Sequence, residues 1–476
     1  MGKTDGRRRG WLSLLLVLAL VGGGVAVYRF DLVDQWLAAE APDPLTDPAA
    51  VPAPEGIDVP PLASPPPIAE VAEGGLLNIA AVRRVLEAGL ADPDLGRSVH
   101  AAVAPLTGRP GPAYVVGEGA FVPASTMKLL TAAAALAQLG PDHTFATTVL
   151  ARGRTLTLVG GGDPLLERTR GEPGDYPVRA DVATLARQTA AALRQRTEAR
   201  RPFRLTYDAT LFSGPTQSPF WRADYVPDDI VSPISALWVD EGVAASGFER
   251  VADPAADAGA AFAAALRQQG VRLEGKPVVG RAPAGARELA RVTSPPLAQI
   301  AELVLESSDN EGAEVLAHHV GLAVLDEGSF AGGVAGVRQT LAGLGVPLAG
   351  AVIRDGSGLS RGNRLRAQTL LEVLRVAAAP DHPDLRAALT GLPVGGFTGS
   401  LALRFDDAVP AGVGRVRGKT GSLTGIRSLA GVALDRTGTP LAFVLAADRL
   451  KLFDTLDAQQ DLDNLAALLG ACRCSR

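Results

Sequence analysis

An apolar run from Trp11 to Tyr28 stands directly behind Arg7, Arg8 and Arg9. That arrangement predicts an export signal or a single membrane anchor, with residues 1–10 as a cytoplasmic basic tail and the remainder outside. From residue 29 to residue 72 no period is visible and prolines recur, which predicts an extended linker without a core. Regular patterning starts near Leu76, where apolar positions recur at helical spacing to Leu90. Strand-like runs follow at 98–105 and 113–117, and the alanine- and leucine-rich stretch from Ser125 to Leu139 stops at Gly140-Pro141, as a helix does. Short strands at 155–159 and 204–208 flank a helical pattern at 180–195. Two further helices are expected at 295–306 and 311–325. Runs at 415–423, 428–434 and 440–447, with a turn at 436–439, predict an antiparallel meander. Helices and strands in these blocks give an α+β fold.

The net charge of -5 and the scattered arginines leave no basic footprint, so nucleic-acid binding is not expected. The only cysteines, Cys472 and Cys474, lie in the C-terminal tail and are read as a frayed end, which excludes a disulfide framework or cysteine-based zinc site holding the fold. The histidines show no metal-binding spacing, and no metal or cofactor is expected. His318-His319 is read as one helix position facing outward and one facing the core.

Chemistry concentrates in three short strings. In Ser125-Thr126-Met127-Lys128 the lysine lies one helical turn after the serine, which puts both side chains on one face. Alone, the string also fits a capping serine and a surface lysine. Ser308-Asp309-Asn310 sits at the junction of the two later helices, where capping chemistry would suffice. Lys419-Thr420-Gly421 lies in a predicted outer strand. Lysine usage sharpens the picture: the chain has only Lys3, Lys128, Lys276, Lys419 and Lys451, and two of these fall inside the strings. An arginine cannot release its proton near neutral pH, whereas a buried lysine can. Gly160-Gly161-Gly162-Asp163-Pro164 lacks the Lys-Ser/Thr of a phosphate loop and is read as a turn.

Taken together and in this order, the strings resemble the active site of the D-alanyl-D-alanine carboxypeptidase/endopeptidase family, the class C low-molecular-mass penicillin-binding proteins. The likeness runs from about Leu76 to Leu469 and takes in Gly160 to Pro164, Ile234-Ser235-Ala236-Leu237 with Asp240-Glu241, and Asp355 to Ser360. It implies a β-lactamase/transpeptidase-like domain, an antiparallel sheet flanked by helices plus an all-helical part, formed by residues 73–144 and 293–476. Residues 145–292 would be an inserted accessory domain, since far more chain separates Ser125 from Ser308 than in class A β-lactamases.

The resemblance also implies roles. Ser125 would be the nucleophile and Lys128 the base, its amine kept neutral by burial and by Lys419. Ser308 would relay a proton to the leaving D-alanine. Asn310 would hold the substrate amide and Lys128, and Lys419 would supply positive charge. Thr420, Gly421 and Ser422 would bind the terminal carboxylate, with the N–H groups of Ser125 and Ser422 as oxyanion hole. The implied substrates are peptidoglycan stem peptides, cut at D-Ala-D-Ala and at D-Ala-diaminopimelate cross-links, with β-lactams as inhibitors. The implied location is the cell envelope outside the membrane, or the exterior if the leader is removed. A β-lactamase-like hydrolase is the first alternative, for which no deacylating glutamate can be assigned. A non-catalytic scaffold is the second, and it has no use for the two lysines.

Overall fold

The computed structural model describes residues 75–108, 111–195, 201–405 and 410–475. The basic tail, apolar run and linker expected over residues 1–72 lie outside the described residues. Among the described residues no single helix is long and apolar enough to cross a membrane.

The chain enters through helix α1 (Ile79–Leu90), capped by the Asn78 side chain, which accepts from the Ala81 N–H. Strands β1 (Val99–Pro105) and β2 (Tyr114–Val116) lead to helix α2 (Lys128–Leu139). A separate unit of secondary structure follows: β3 (Ala146–Arg152), β4 (Thr155–Val159), α3 (Val182–Arg194), β5 (Arg204–Asp208), α4 (Pro254–Gln268), β6 (Val278–Val279) and β7 (Arg287–Thr293). Helices α5 (Leu297–Ser307), α6 (Asn310–Leu325), α7 (Phe330–Gly343) and α8 (Ala367–Ala378) come next. The meander β8 (Val416–Leu423), β9 (Ile426–Leu434) and β10 (Pro440–Asp448) precedes the final helix α9 (Thr455–Ala471).

Two five-stranded sheets result, ordered β2-β1-β10-β9-β8 and β6-β5-β4-β3-β7. The first is antiparallel throughout and joins chain ends, because β1 pairs along its length with β10. Side chains alternate across it, as strand geometry requires. On β10, Ala442, Val444 and Ala446 pack toward α2, α5, α6 and α8, while Leu441, Phe443, Leu445 and Ala447 pack toward α1 and α9. The second sheet is mixed, with β4 parallel to β5 and β5 parallel to β6. Its core is its own: Val149, Leu156, Leu158 and Leu205 pack with Leu185, Phe262 and Leu266 of α3 and α4.

Two expectations need correction. The C-terminal cysteines are not a frayed end: Cys472 and Cys474 form a disulfide and both are buried. The tail is held because the Asp435 carboxylate accepts from the N–H groups of Cys474 and Ser475, while the Asn78 N–H donates to the Cys474 carbonyl. Nor does either histidine of the α6 pair face solvent. His318 Nδ1 contacts the Glu314 carbonyl at 2.7 Å, His319 Nε2 contacts the Gly162 carbonyl at 2.8 Å, and His319 stacks on Phe145. Residues 145–212 cover the helix face that a surface reading leaves open. Burial lowers both imidazoles to about 4, so they are neutral at ordinary pH.

Candidate active site

Ser125 lies in a 3-10 turn, Ala124–Met127, immediately before α2, rather than in the helix itself. The turn is entered through Ala124 at φ 49°, a left-handed conformation that L-residues adopt rarely. Its surroundings hold it there. The Pro123 carbonyl accepts from Thr126 Oγ1 at 2.8 Å and from Ser428 Oγ of β9 at 2.7 Å. A Cβ on Gly421 would come 2.1 Å from Ser428 Oγ and 2.5 Å from that same carbonyl, so β8 approaches the turn as only glycine permits. On the other side a Cβ on Gly358, itself at φ 89°, would sit 1.9 Å from the Ala124 carbonyl.

Lys128 opens α2 and is fully buried. Its Nζ lies 3.1 Å from Ser125 Oγ, 2.8 Å from Asn310 Oδ1 and 2.8 Å from the Ser357 carbonyl. Burial lowers the amine to about 8, working against Asp309, Glu314, Asp355 and Glu311, whose charges favour the ammonium. A neutral amine has two hydrogens and one lone pair. Two of the three neighbours can only accept, which leaves the lone pair for the hydroxyl of Ser125.

The helical elements supply these acceptors. Ser308 ends α5 at φ 63°, and Asp309 then caps α6, its Oδ1 accepting from the Gly312 N–H. This reversal aims Asn310 back at Lys128. One turn along α6, Glu314 accepts from the N–H groups of Gly356 and Ser357, which orients the peptide whose carbonyl meets Lys128. Burial raises the Glu314 carboxyl to about 8, helped by Asp355 and opposed by these donors. Asp355 in turn accepts from the Gly358 N–H, Asn363 Nδ2 and Trp221 Nε1.

Lys419 is also fully buried, and Nζ donates to the Thr420 carbonyl at 3.2 Å. Burial pushes it well below the usual lysine range, and Lys128 and Arg404 push it the same way. Thr420 Oγ1 is 2.9 Å from Ser400 Oγ. The start of β8 is covered by residues 393–395, since the Gly418 N–H donates to the Pro393 carbonyl, and at its far end Ser422 and Leu423 line a cleft. That cleft has a volume of about 480 Å3 and is lined by Ser125, Ser308, Asn310 and Ser422 together with Tyr225, Asp228 and Arg361.

Ser125, Lys128 and Asn310 are thus in direct contact, Ser308 and Ser422 border the same cleft, and Lys419, Thr420 and Gly421 lie on the strand behind it. Sequence reasoning gave no part to Ser357, Glu314, Ser400 or Arg361. Glu314 carried a signal, being four residues beyond Asn310 on one helix face. Ser357 carried one through the string Asp355 to Ser360, noted without a role. Its contribution is a backbone carbonyl, which no side-chain pattern reveals.

Known proteins share this architecture. A family model described as the D-Ala-D-Ala carboxypeptidase 3 (S13) family matches residues 82–250 and 245–469. A carboxypeptidase of Mycobacterium tuberculosis is 36% identical over 87% of this chain and 90% of its own length. The carboxypeptidase DacB of Mycolicibacterium smegmatis is 35% identical over 96% of each chain. Among solved structures, penicillin-binding protein 4 of Haemophilus influenzae aligns with a TM-score of 0.63 at 20% identity, covering 82% of this chain and 99% of that one. A crystal structure of that protein with a β-lactam is also known.

Proposed function

Because the chain belongs to the D-Ala-D-Ala carboxypeptidase 3 (S13) family, we propose that it is a serine DD-peptidase of the cell envelope whose nucleophile is Ser125. One observation carries the assignment of parts: the buried Lys128 amine, 3.1 Å from Ser125 Oγ and held by two groups that can only accept, Asn310 Oδ1 and the Ser357 carbonyl. In this reading Lys128 takes the hydroxyl proton as Ser125 Oγ bonds to the carbonyl carbon of the penultimate D-alanine. The N–H groups of Ser125 and Ser422 receive the oxyanion, each worth about 3 kcal/mol of barrier. Collapse breaks the peptide bond, and the proton passes through Ser308 to the leaving amine of the terminal D-alanine. Water then cleaves the ester. Lys419 and the hydroxyls of Thr420 and Ser422 hold the substrate's terminal carboxylate, Asn310 also holds its amide, and Gly421 lets the strand close on the turn.

A β-lactam presents a reactive amide in the same position and leaves an ester on Ser125, in keeping with the β-lactam complex of the Haemophilus influenzae neighbour. Neither Glu311 nor Glu314 supports rapid deacylation. Glu311 accepts from the Ser232 N–H and pairs with Arg250, and Glu314 is taken up by the 356–357 peptide. Export through residues 11–28, either as an anchor or as a cleaved signal, completes the reading. The Cys472–Cys474 disulfide supports it, since such bonds persist in oxidising compartments. Intact-mass spectrometry of the full chain with excess penicillin tests the whole. A lasting adduct absent from Ser125→Ala, together with D-alanine release from acyl-D-Ala-D-Ala by the parent protein alone, is expected. Drug turnover without an adduct would indicate a β-lactamase instead, and no reaction would leave a scaffold.

A further inference from the structure

A cavity of about 350 Å3 lies apart from the Ser125 cleft, where residues 209–216, 234–236 and 252–255 meet α6. Main-chain bonds fix its walls: the Ile234 N–H donates to the Thr216 carbonyl at 2.7 Å, and the Ser213 N–H to the Gly328 carbonyl at 2.8 Å. Phe212, Pro215, Ile234 and Ala236 supply an apolar surface, and His318 of α6 reaches the cavity from the core. That imidazole is 1% exposed and sits between Phe212 and Phe330, with ring centroids 4.9 and 4.8 Å away. The two rings hold it in place.

A carbonyl can only accept, so the 2.7 Å contact with Glu314 puts the proton on His318 Nδ1 and a lone pair on Nε2. Nε2 has no hydrogen-bond partner among the described residues, a state that buried polar atoms rarely show unless something else fills it. Whatever satisfies it must donate, which excludes a carboxylate. The rim agrees: Asp253 is a second acceptor, with one oxygen engaged by the Ala256 N–H, and no lysine or arginine lines the cavity. A simple ammonium would meet only that one exposed carboxylate, a pairing worth little in water. The exposed hydroxyls of Ser213 and Thr216 both donate and accept, as a ligand with several hydroxyls requires. We propose that this cavity binds one neutral sugar ring, its C–H face on Phe212 and Pro215 and one hydroxyl or amide N–H donating to His318 Nε2. The volume, at the small end of ligand pockets, suits a single ring. His318 stands eight residues after Asn310 on α6, roughly 12 Å along the axis, a distance that three or four extended residues also span. In an envelope DD-peptidase such a ring belongs to the glycan that carries the stem peptide; that identification rests on the reading above, and the site itself does not.

Saturation-transfer NMR with the full-length protein and the tetramer of N-acetylglucosamine reads the site directly. The parent is expected to transfer saturation to the sugar's ring protons. His318→Phe keeps a ring but removes the acceptor, and Ala252→Trp fills the rim at an exposed position; each should weaken binding by about tenfold or more, the scale of one lost buried hydrogen bond. Ala252→Trp should still form the penicillin adduct on Ser125, which shows that its fold and cleft are intact. No transfer from the parent, or binding unchanged in both variants, would overturn the sugar site, and a penicillin adduct in the same samples would leave the peptidase reading standing. Sugar binding that the two variants lose, in a parent protein that forms no penicillin adduct, would keep the site and remove the peptidase reading.

Discussion

At the scale of single residues, the decisive quantity is the proton on Lys128. Its amine lies near 8 in the folded protein, against 10.5 for a free lysine. Only the neutral form can take the Ser125 proton, so the second-order rate of penicillin acylation should fall about tenfold per pH unit below 8 and level off above it. Stopped-flow acylation across pH 6–10 checks this, and a profile that is flat between 6 and 8 would remove Lys128 as the base. Lys128→Arg keeps charge and length but cannot deprotonate, and should abolish the reaction at every pH. The sequence alone suggested this, because a chain so poor in lysine placed two of them in motifs. It could not supply the third partner, since the Ser357 carbonyl belongs to the main chain.

At the scale of elements, α6 gives the candidate site both Asn310, in contact with Lys128, and Glu314, which holds the 356–357 peptide. Replacing Glu314 by alanine would leave the buried N–H groups of Gly356 and Ser357 without an acceptor, at about 1–3 kcal/mol each. Thermal denaturation should show a clear loss of stability, and penicillin acylation should slow because the Ser357 carbonyl loses its orientation. Glu314→Gln keeps an acceptor oxygen and should recover most of both. If Glu314→Ala acylates at the parent rate, α6 does not position Lys128 through that peptide. Patterned elements were legible here: strands 155–159 and 204–208 and the three-stranded meander follow from hydrophobic period and turn residues. The turn around Ser125 was not, because an alanine-rich sequence favours helix, and only contacts from β8, β9 and the 356–358 loop impose the left-handed Ala124 and the 3-10 geometry. The His318-His319 pair was misjudged for the same kind of reason: coverage by residues distant in sequence has no local signature.

At the scale of the whole molecule, the two ends of the described body meet. Leu77 bridges to Ser475, α1 and α9 share one core, and β1 lies against β10. Deleting residues 472–476 would remove the Cys474 core contact and the Asp435 hydrogen bonds, each worth about 1 kcal/mol. The melting temperature should fall by several degrees, and by more than in a Cys472→Ser/Cys474→Ser variant, because a disulfide closing so short a loop contributes under about 2 kcal/mol. An equal effect of the two would show that the bond, not the tail, secures this edge. Meeting ends also dictate the order in which the protein comes into being. A ribosome delivers β1 and the Ser125 turn early, yet β8, β9 and β10, which pin that turn and back the cleft, arrive among the last parts of the chain. Ser125 is therefore made long before its surroundings exist, and, on the proposed function, a chain interrupted at any earlier point would be neither a peptidase nor a target for penicillin.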